Sequence, residues 1–266
     1  MNNVLNKNKN NTDTFLNKYI IEFLNCNNIL NSKDKDFAFR VYSTPLSKYI
    51  SRIKSINFSN GHVLDACAGF GQWSIALALL NFKITSFDVL PERIGALKYI
   101  ANKLNIHNIN TDIAQLDNMP YKNNSFDFVF CYGSIFCTPW KESLKEIHRV
   151  TKPGGKVYLT ANAIGYQAYL WCERPNEKQY FDPREFVSKA FANTLEYEKT
   201  GLKINAGQII IAPKELAEYS ERIGFKVVSQ GEEGTINLTQ DKTITTPFFK
   251  GKYMELPCCH EIILQK

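Results

Sequence analysis

Between His62 and Thr160 the chain alternates short apolar runs with amphipathic stretches, and this alternation leaves few folds open. His62–Cys67, Lys83–Val89, Ile109–Ile113, Phe126–Cys131 and Lys156–Thr160 read as strands. Gln72–Leu80, the run from Pro91 through Leu104, and a segment carrying Ser143–Val150 read as the helices between them. Strands joined through helices pair in parallel with right-handed crossovers. Ligands of such open sheets bind beyond the carboxyl ends of the strands, where strand order reverses.

The flanks differ in pattern. Residues 1–12 are polar and Asn-rich and predict a disordered start. Leu16, Tyr19, Ile20, Phe23 and Leu24 predict a helix from Thr14 to about Leu30. Thr44 and Pro45 suit the N-cap and first position of a second helix. Residues 161–212 are aromatic-rich and less regular, and read as a lid inserted into one domain. A helix from Pro213, a strand at Phe225–Val228, a polar connection and a last strand near His260–Leu264 complete the chain.

No apolar run approaches the ~20 residues that span a bilayer, and no signal peptide is visible. The default expectation is cytoplasmic, with no membrane partner. Seven cysteines without a CxxC pair suggest free thiols. Cys258-Cys259-His260 lies in a predicted strand, where neighbours face opposite ways, so no metal site is expected. A net charge of +6 suits an anionic ligand but is too mild to indicate nucleic acid, which is expected not to be a partner. The sequence does not specify an oligomeric state.

The most informative segment is Val63-Leu64-Asp65-Ala66-Cys67-Ala68-Gly69-Phe70-Gly71-Gln72-Trp73. A buried strand delivers a carboxylate, glycines allow a tight turn close to a ligand, and a helix N-terminus follows. Ser74 stands where the dinucleotide fingerprint needs its third glycine, and no P-loop motif is present. The second strand ends at Asp88-Val89, with Asp88 17 residues after Gly71. Met119-Pro120-Tyr121, Ser125-Phe126-Asp127 and Arg149-Val150-Thr151-Lys152-Pro153-Gly154-Gly155 follow in order.

These segments, in this register, resemble the class I S-adenosylmethionine (SAM) dependent methyltransferases, in their small-molecule branch. The resemblance covers roughly residues 45–160, with a further match over 213–265. It implies a doubly wound α/β fold: a seven-stranded, mostly parallel sheet with the last strand antiparallel, N-terminal helices and an inserted lid. Residues 1–43 would form an extension and flap, and 44–266 the methyltransferase domain. SAM is the implied cofactor. Asp65, Ala66, Cys67, Ala68, Gly69 and Gly71 would surround its methionine part, Asp88 its ribose hydroxyls, and Val89, Gln115 and Leu116 its adenine. Two departures stand out. Cys67 replaces the usual first glycine, which is tolerable if its φ stays negative, and Gln115 replaces an acid.

The resemblance places residues after the fourth strand beside the transferred methyl. Tyr132 is the candidate there for cofactor contact and catalysis, and Ser134 for substrate contact. Glu173 and His260 are candidate bases. Tyr166, Trp171 and Arg174 in the lid, and Arg40 and Tyr42 in the flap, are candidate substrate contacts, with a Glu173–Arg174 surface ion pair as the alternative reading. The segment after Cys131 is not Asn/Asp-Pro-Pro-Tyr and has no Pro-Cys nucleophile, which disfavours DNA-base methylation. The leading expectation is methyl transfer to an O or N atom of a small polar metabolite, narrowed to an activated sugar or phosphate-bearing surface-polysaccharide precursor. An RNA or protein methyltransferase and a non-catalytic SAM-fold partner subunit are the alternatives.

Overall fold

The computed structural model describes residues 9–26, 31–58, 61–240 and 245–266. The helices are α1 (Lys9–Cys26), α2 (Ser32–Tyr42), α3 (Leu46–Ser55), α4 (Gln72–Leu79), α5 (Pro91–Lys103), α6 (Trp140–Val150), α7 (Ile164–Glu173), α8 (Pro183–Thr200) and α9 (Pro213–Arg222). The main strands are β1 (His62–Ala66), β2 (Lys83–Asp88), β3 (Ile109–Ile113), β4 (Phe126–Cys131), β5 (Thr151–Asn162), β6 (Lys226–Glu232) and β9 (Cys259–Gln265). β7 (Lys252–Tyr253) and β8 (Leu256–Pro257) form a separate small ribbon.

The large sheet has the order β3-β2-β1-β4-β5-β9-β6, with β9 antiparallel to both neighbours. Strand order reverses at β1, which pairs in parallel with β2 and with β4. The crevice above β1 is therefore where a ligand should lie. Alternate residues of each strand face opposite layers. Val63, Ile84, Phe128 and Phe130 pack under α1 to α5. Leu64, Phe87, Val129 and Val157 pack under α6 and α9. Each such buried side chain contributes about 1.5–3 kcal/mol.

Several boundaries differ from those read from sequence. Expected disorder over 1–12 is corrected in part: α1 already includes Lys9, while residues 1–8 lie outside the described residues. The α1 segment beyond Cys26, expected to reach Leu30, also lies outside them. At α3, Pro45 is the cap, and no local side chain caps the helix. Thr44 donates to Arg40 O instead, and Leu46 N donates to Asp13 Oδ1 of α1 at 2.8 Å. A tertiary contact thus satisfies the helix end. β5 starts at Thr151, with a register irregularity opposite β4, because the Pro153–Gly155 turn is absorbed into the strand. In the segment read as a lid, Asp182-Pro183 reads as a helix start and does begin α8, while α7 is the helix that the sequence reading did not place. Asp182 caps α8 by accepting from Arg184 N and Glu185 N, and Pro183 takes the first turn.

Arg149 explains the motif before β5. Its guanidinium donates to Tyr121 O at 2.6 Å and Met119 O at 3.0 Å. Glu146 accepts from Arg149 and from Met119 N. The loop over Gln115–Tyr121 is thereby fixed to α6, which makes it a rigid wall beside β2. No helix among the described residues is long and apolar enough to cross a membrane.

Gly71 begins α4 at φ +87°, where an added Cβ would meet Leu97 Cδ1 at 2.4 Å. Leu97 is fully buried and cannot step aside. Gly71→Ala should therefore cost about 2–4 kcal/mol in urea unfolding, from left-handed strain plus overpacking. An unchanged midpoint would contradict this packing.

Candidate functional site

A cavity of about 1030 Å³ opens above the carboxyl ends of β1, β2 and β4. Its floor is the β1–α4 turn. Asp65, buried at the end of β1, accepts from Ser74 Oγ at 2.5 Å. Burial pushes its carboxyl up to about 7; hydrogen bonds from Ser74 oppose that, and the charge of Asp88 adds to it. Gly69 N donates to Asp88 Oδ2 at 2.9 Å, and Leu90 N donates to Asp88 Oδ1 at 3.0 Å. One carboxylate therefore ties the turns after β1 and β2 together while remaining on the cavity wall.

The expectation for Cys67 is corrected: its φ is +59°, in the left-handed region. A side chain there costs about 1–2 kcal/mol, and the thiol lines the cavity. Burial raises the thiol well above its ordinary value, so it stays protonated. Ala68, Gly69, Val89, Gln115 and Leu116 also line the cavity. Ala66 and Gly71 do not. Ala66 points into the core beneath the sheet, and Gly71 serves the packing of α4 on α5.

The far half of the cavity is aromatic. Tyr132, Ser134 and Tyr166 line it, as expected. Trp73, read from sequence as packing, both packs and lines the wall: its ring lies 4.7 Å from Tyr132 and 5.3 Å from Phe248. Phe248, Phe249 and Lys250, from the connection between β6 and β9, close this side. Sequence reasoning missed them because that connection carries no periodic pattern. The only signal was a Phe-Phe-Lys run in an otherwise polar loop. Lys48 sits 4.3 Å over the Phe248 ring. α2 covers the other end, with Phe37 3.7 Å from where a Gly69 Cβ would stand, and Arg40 stacked on Phe37.

Besides Ala66 and Gly71, five further candidates lie elsewhere. Tyr42 is buried and donates to Phe70 O at 2.7 Å, so it braces the turn from below. Glu173 is exposed and accepts from Tyr253 Oη at 2.7 Å. Trp171 stacks with Arg184, and Arg174 pairs with Glu177. All three sit at the outer end of α7, because the helix turns its buried face, with Gln167 and Leu170, inward. His260 is buried and bonded to Ile211 O at 3.0 Å, on the strand face opposite Cys259, the neighbour that lines the cavity.

Gln72 Oε1, at the mouth of α4, is buried without a hydrogen-bond partner among the described residues and belongs to a cavity-lining residue. Together with the carboxylates of Asp65 and Asp88, it suits a ligand carrying an ammonium group and neighbouring hydroxyls. The residues present therefore fit SAM.

Comparisons with known proteins agree. A family model described as "Methyltransferase domain" matches residues 63–155. The chain is 31% identical over 180 residues to a demethylmenaquinone methyltransferase of Geobacillus stearothermophilus, covering 65% of this chain and 74% of that one. It is 27% identical over 190 residues to the ubiquinone/menaquinone biosynthesis C-methyltransferase UbiE of Rickettsia akari, covering 68% and 67%. Across relatives of this kind the match spans 44% to 74% of their length. A SAM-dependent methyltransferase structure from Methanosarcina mazei superposes with a TM-score of 0.55 at 17% identity, over 81% of this chain and 96% of that one.

Burial lowers the His260 imidazole to about 4. Its folded value lies below the ordinary 6.5, so the unfolded chain binds the proton first as pH falls. His260 should therefore remove about 2 kcal/mol of stability between pH 7.5 and pH 5. Urea melts of His260→Gln should show a correspondingly flatter acid dependence than the parent; identical slopes would refute the neutral buried imidazole.

Proposed function

The chain belongs to the class I SAM-dependent methyltransferases, and from that premise we propose that it transfers the SAM methyl group to a small molecule held against the aromatic half of the cavity. The observation that carries this reading is one continuous cavity with acidic and amide groups at one end and aromatic rings at the other. SAM supplies an electrophilic methyl on a sulfonium. The protein has to bind, align and keep water out.

At the donor end, Asp65 and Gln72 would hold the methionine ammonium and Asp88 the ribose. Val89, Gln115 and Leu116 would flank the adenine, with Gln115 using its amide oxygen where an acid is usual. At the acceptor end, Tyr132 is the residue proposed to touch the reacting atoms, with Ser134, Tyr166 and Arg40 shaping the pocket. Phe248 and Phe249 supply flat apolar faces for an acceptor ring.

The proposed attacked atom is an oxygen or nitrogen. The narrower idea of a sugar or phosphate-bearing acceptor loses its intended anchor, since Arg174 is paired outside the cavity. A second reading, methylation at carbon, follows the printed name of the UbiE relative and is favoured by the aromatic lining. SAM with a ¹³C-labelled methyl, turned over with a fractionated small-molecule extract, separates these readings. The methyl shift in the product spectrum reports attachment to O, N or C. Label found only in RNA or protein, or in no product, would refute a small-molecule acceptor.

Asp65 makes binding pH-dependent. With its free-protein value at about 7, it carries a proton on the acid side and must lose it to face an ammonium. SAM affinity should thus weaken as pH falls below about 7. Calorimetry at pH 6.5 in buffers of different ionisation enthalpy should show proton release, which Asp65→Asn abolishes. Equal enthalpies in all buffers would contradict the assignment.

A further inference from the structure

Beneath the aromatic half of the cavity lies a buried cluster that the proposed reaction does not yet use. Arg52 of α3 is fully buried, and its Nη1 lies 2.7 Å from Glu233 Oε1 and 2.8 Å from Glu261 Oε2. Tyr158 of β5 donates to Glu261 Oε2 at 2.6 Å. Glu233, at 1% exposure, follows β6. Its Oε2 accepts from Phe248 N at 2.7 Å and Phe249 N at 3.1 Å. Its Oε1 also accepts from Tyr132 Oη at 2.9 Å. Of the hydroxyl, carboxyl and guanidinium groups in this cluster, that of Tyr132 alone belongs to a residue that lines the cavity.

Two features follow. Two carboxyl groups share one guanidinium, so the cluster can take one further proton and still leave a matched pair. Burying ions without partners is costly, and such a proton relieves that cost. In addition, the Tyr132 proton is committed to Glu233, so the phenolic oxygen presents its lone pairs, not its hydrogen, to the cavity.

We propose that Tyr132 and Glu233 form a proton relay for the methyl acceptor, Tyr132 being the catalytic residue and Glu233 the positioning carboxylate behind it. This rests on the methyltransferase reading above. The acceptor's proton passes to Tyr132 Oη while the Tyr132 proton passes to Glu233 Oε1. The electron pair of the acceptor's broken bond to hydrogen goes into the new bond to the methyl carbon, and the pair of the old carbon–sulfur bond stays on sulfur. Charge balances: the sulfonium loses one positive charge and the carboxylate loses one negative charge. Among the described residues, Arg52, Glu261, Tyr158, Cys259 and Lys48 are the other ionisable groups facing this pair. Burial, and then the charge of Glu233, keep the Tyr132 hydroxyl protonated at rest.

The test uses two probes that differ only at the reacting position. Sinefungin carries an amine where SAM carries its methyl, and S-adenosylhomocysteine carries nothing there. Calorimetry on the full chain should show that the parent prefers sinefungin. Tyr132→Phe and Glu233→Gln should each reduce that preference roughly tenfold or more, the loss of a hydrogen bond to a charged group. S-adenosylhomocysteine binding should stay within about twofold, a change too small for the loss of a hydrogen bond. A merely structural role would weaken both probes together. Tyr132→Phe leaves the buried ions intact, so it remains informative even if Glu233→Gln fails to fold. A preference unchanged in Tyr132→Phe, or unchanged in a folded Glu233→Gln, overturns the relay while leaving the methyltransferase reading in place. Failure of the parent to bind either probe overturns both.

Discussion

The aromatic half of the cavity depends on one guanidinium. Arg52 joins α3 to the ends of β6 and β9 through Glu233 and Glu261, and its Nη2 donates to Thr246 O at 3.3 Å in the connection that follows. Removing one partner from such a buried set costs about 3–5 kcal/mol, because a charge is left uncompensated. The set as a whole is weak support for stability compared with apolar packing. Its consequence here is placement: Glu233 holds the backbone of Phe248 and Phe249, which form a cavity wall, and the hydroxyl of Tyr132, which faces the opening.

The end of the cavity above β1 and β2 rests on a different set of groups. Asp88 accepts from two backbone amides, and so joins the turns after β1 and β2 into one surface. Ser74 links Asp65 to Ser86 through adjacent short hydrogen bonds. This leaves two carboxylates close together in a buried setting, where a cationic ligand relieves desolvation and mutual repulsion at once. The left-handed Cys67 fits the same picture. Backbone strain of that kind persists only where surrounding structure enforces it, and here Ala68 N bonds Phe87 O at 2.8 Å immediately beyond it.

Legibility from sequence followed the range of the interactions. Asp65, Ala68, Gly69, Asp88, Val89, Gln115 and Leu116 were named through the family resemblance, which counts from motifs in the chain, and all of them lie on the cavity wall. Tyr132 and Ser134, named from their place after the fourth strand in that resemblance, line it as well. Glu173, Arg174 and Trp171 were chosen for chemical type within a dense cluster, and α7 turns them outward. His260 failed by the period-two rule: its neighbour Cys259 faces the cavity, and it does not. Glu233, Phe248 and Lys250 had no local pattern to betray them.

What the sequence determined by itself is the parallel core and its ligand-binding edge, because hydrophobic period, turn glycines and strand-end carboxylates act within about ten residues of one another. What only the tertiary structure decided is the aromatic half of the cavity. Arg52 meets Glu233 and Glu261 across separations of 181 and 209 residues. No local rule reports which distant charges will be buried together, since that pairing exists only once α3, β9 and the connection before it have closed around the same space.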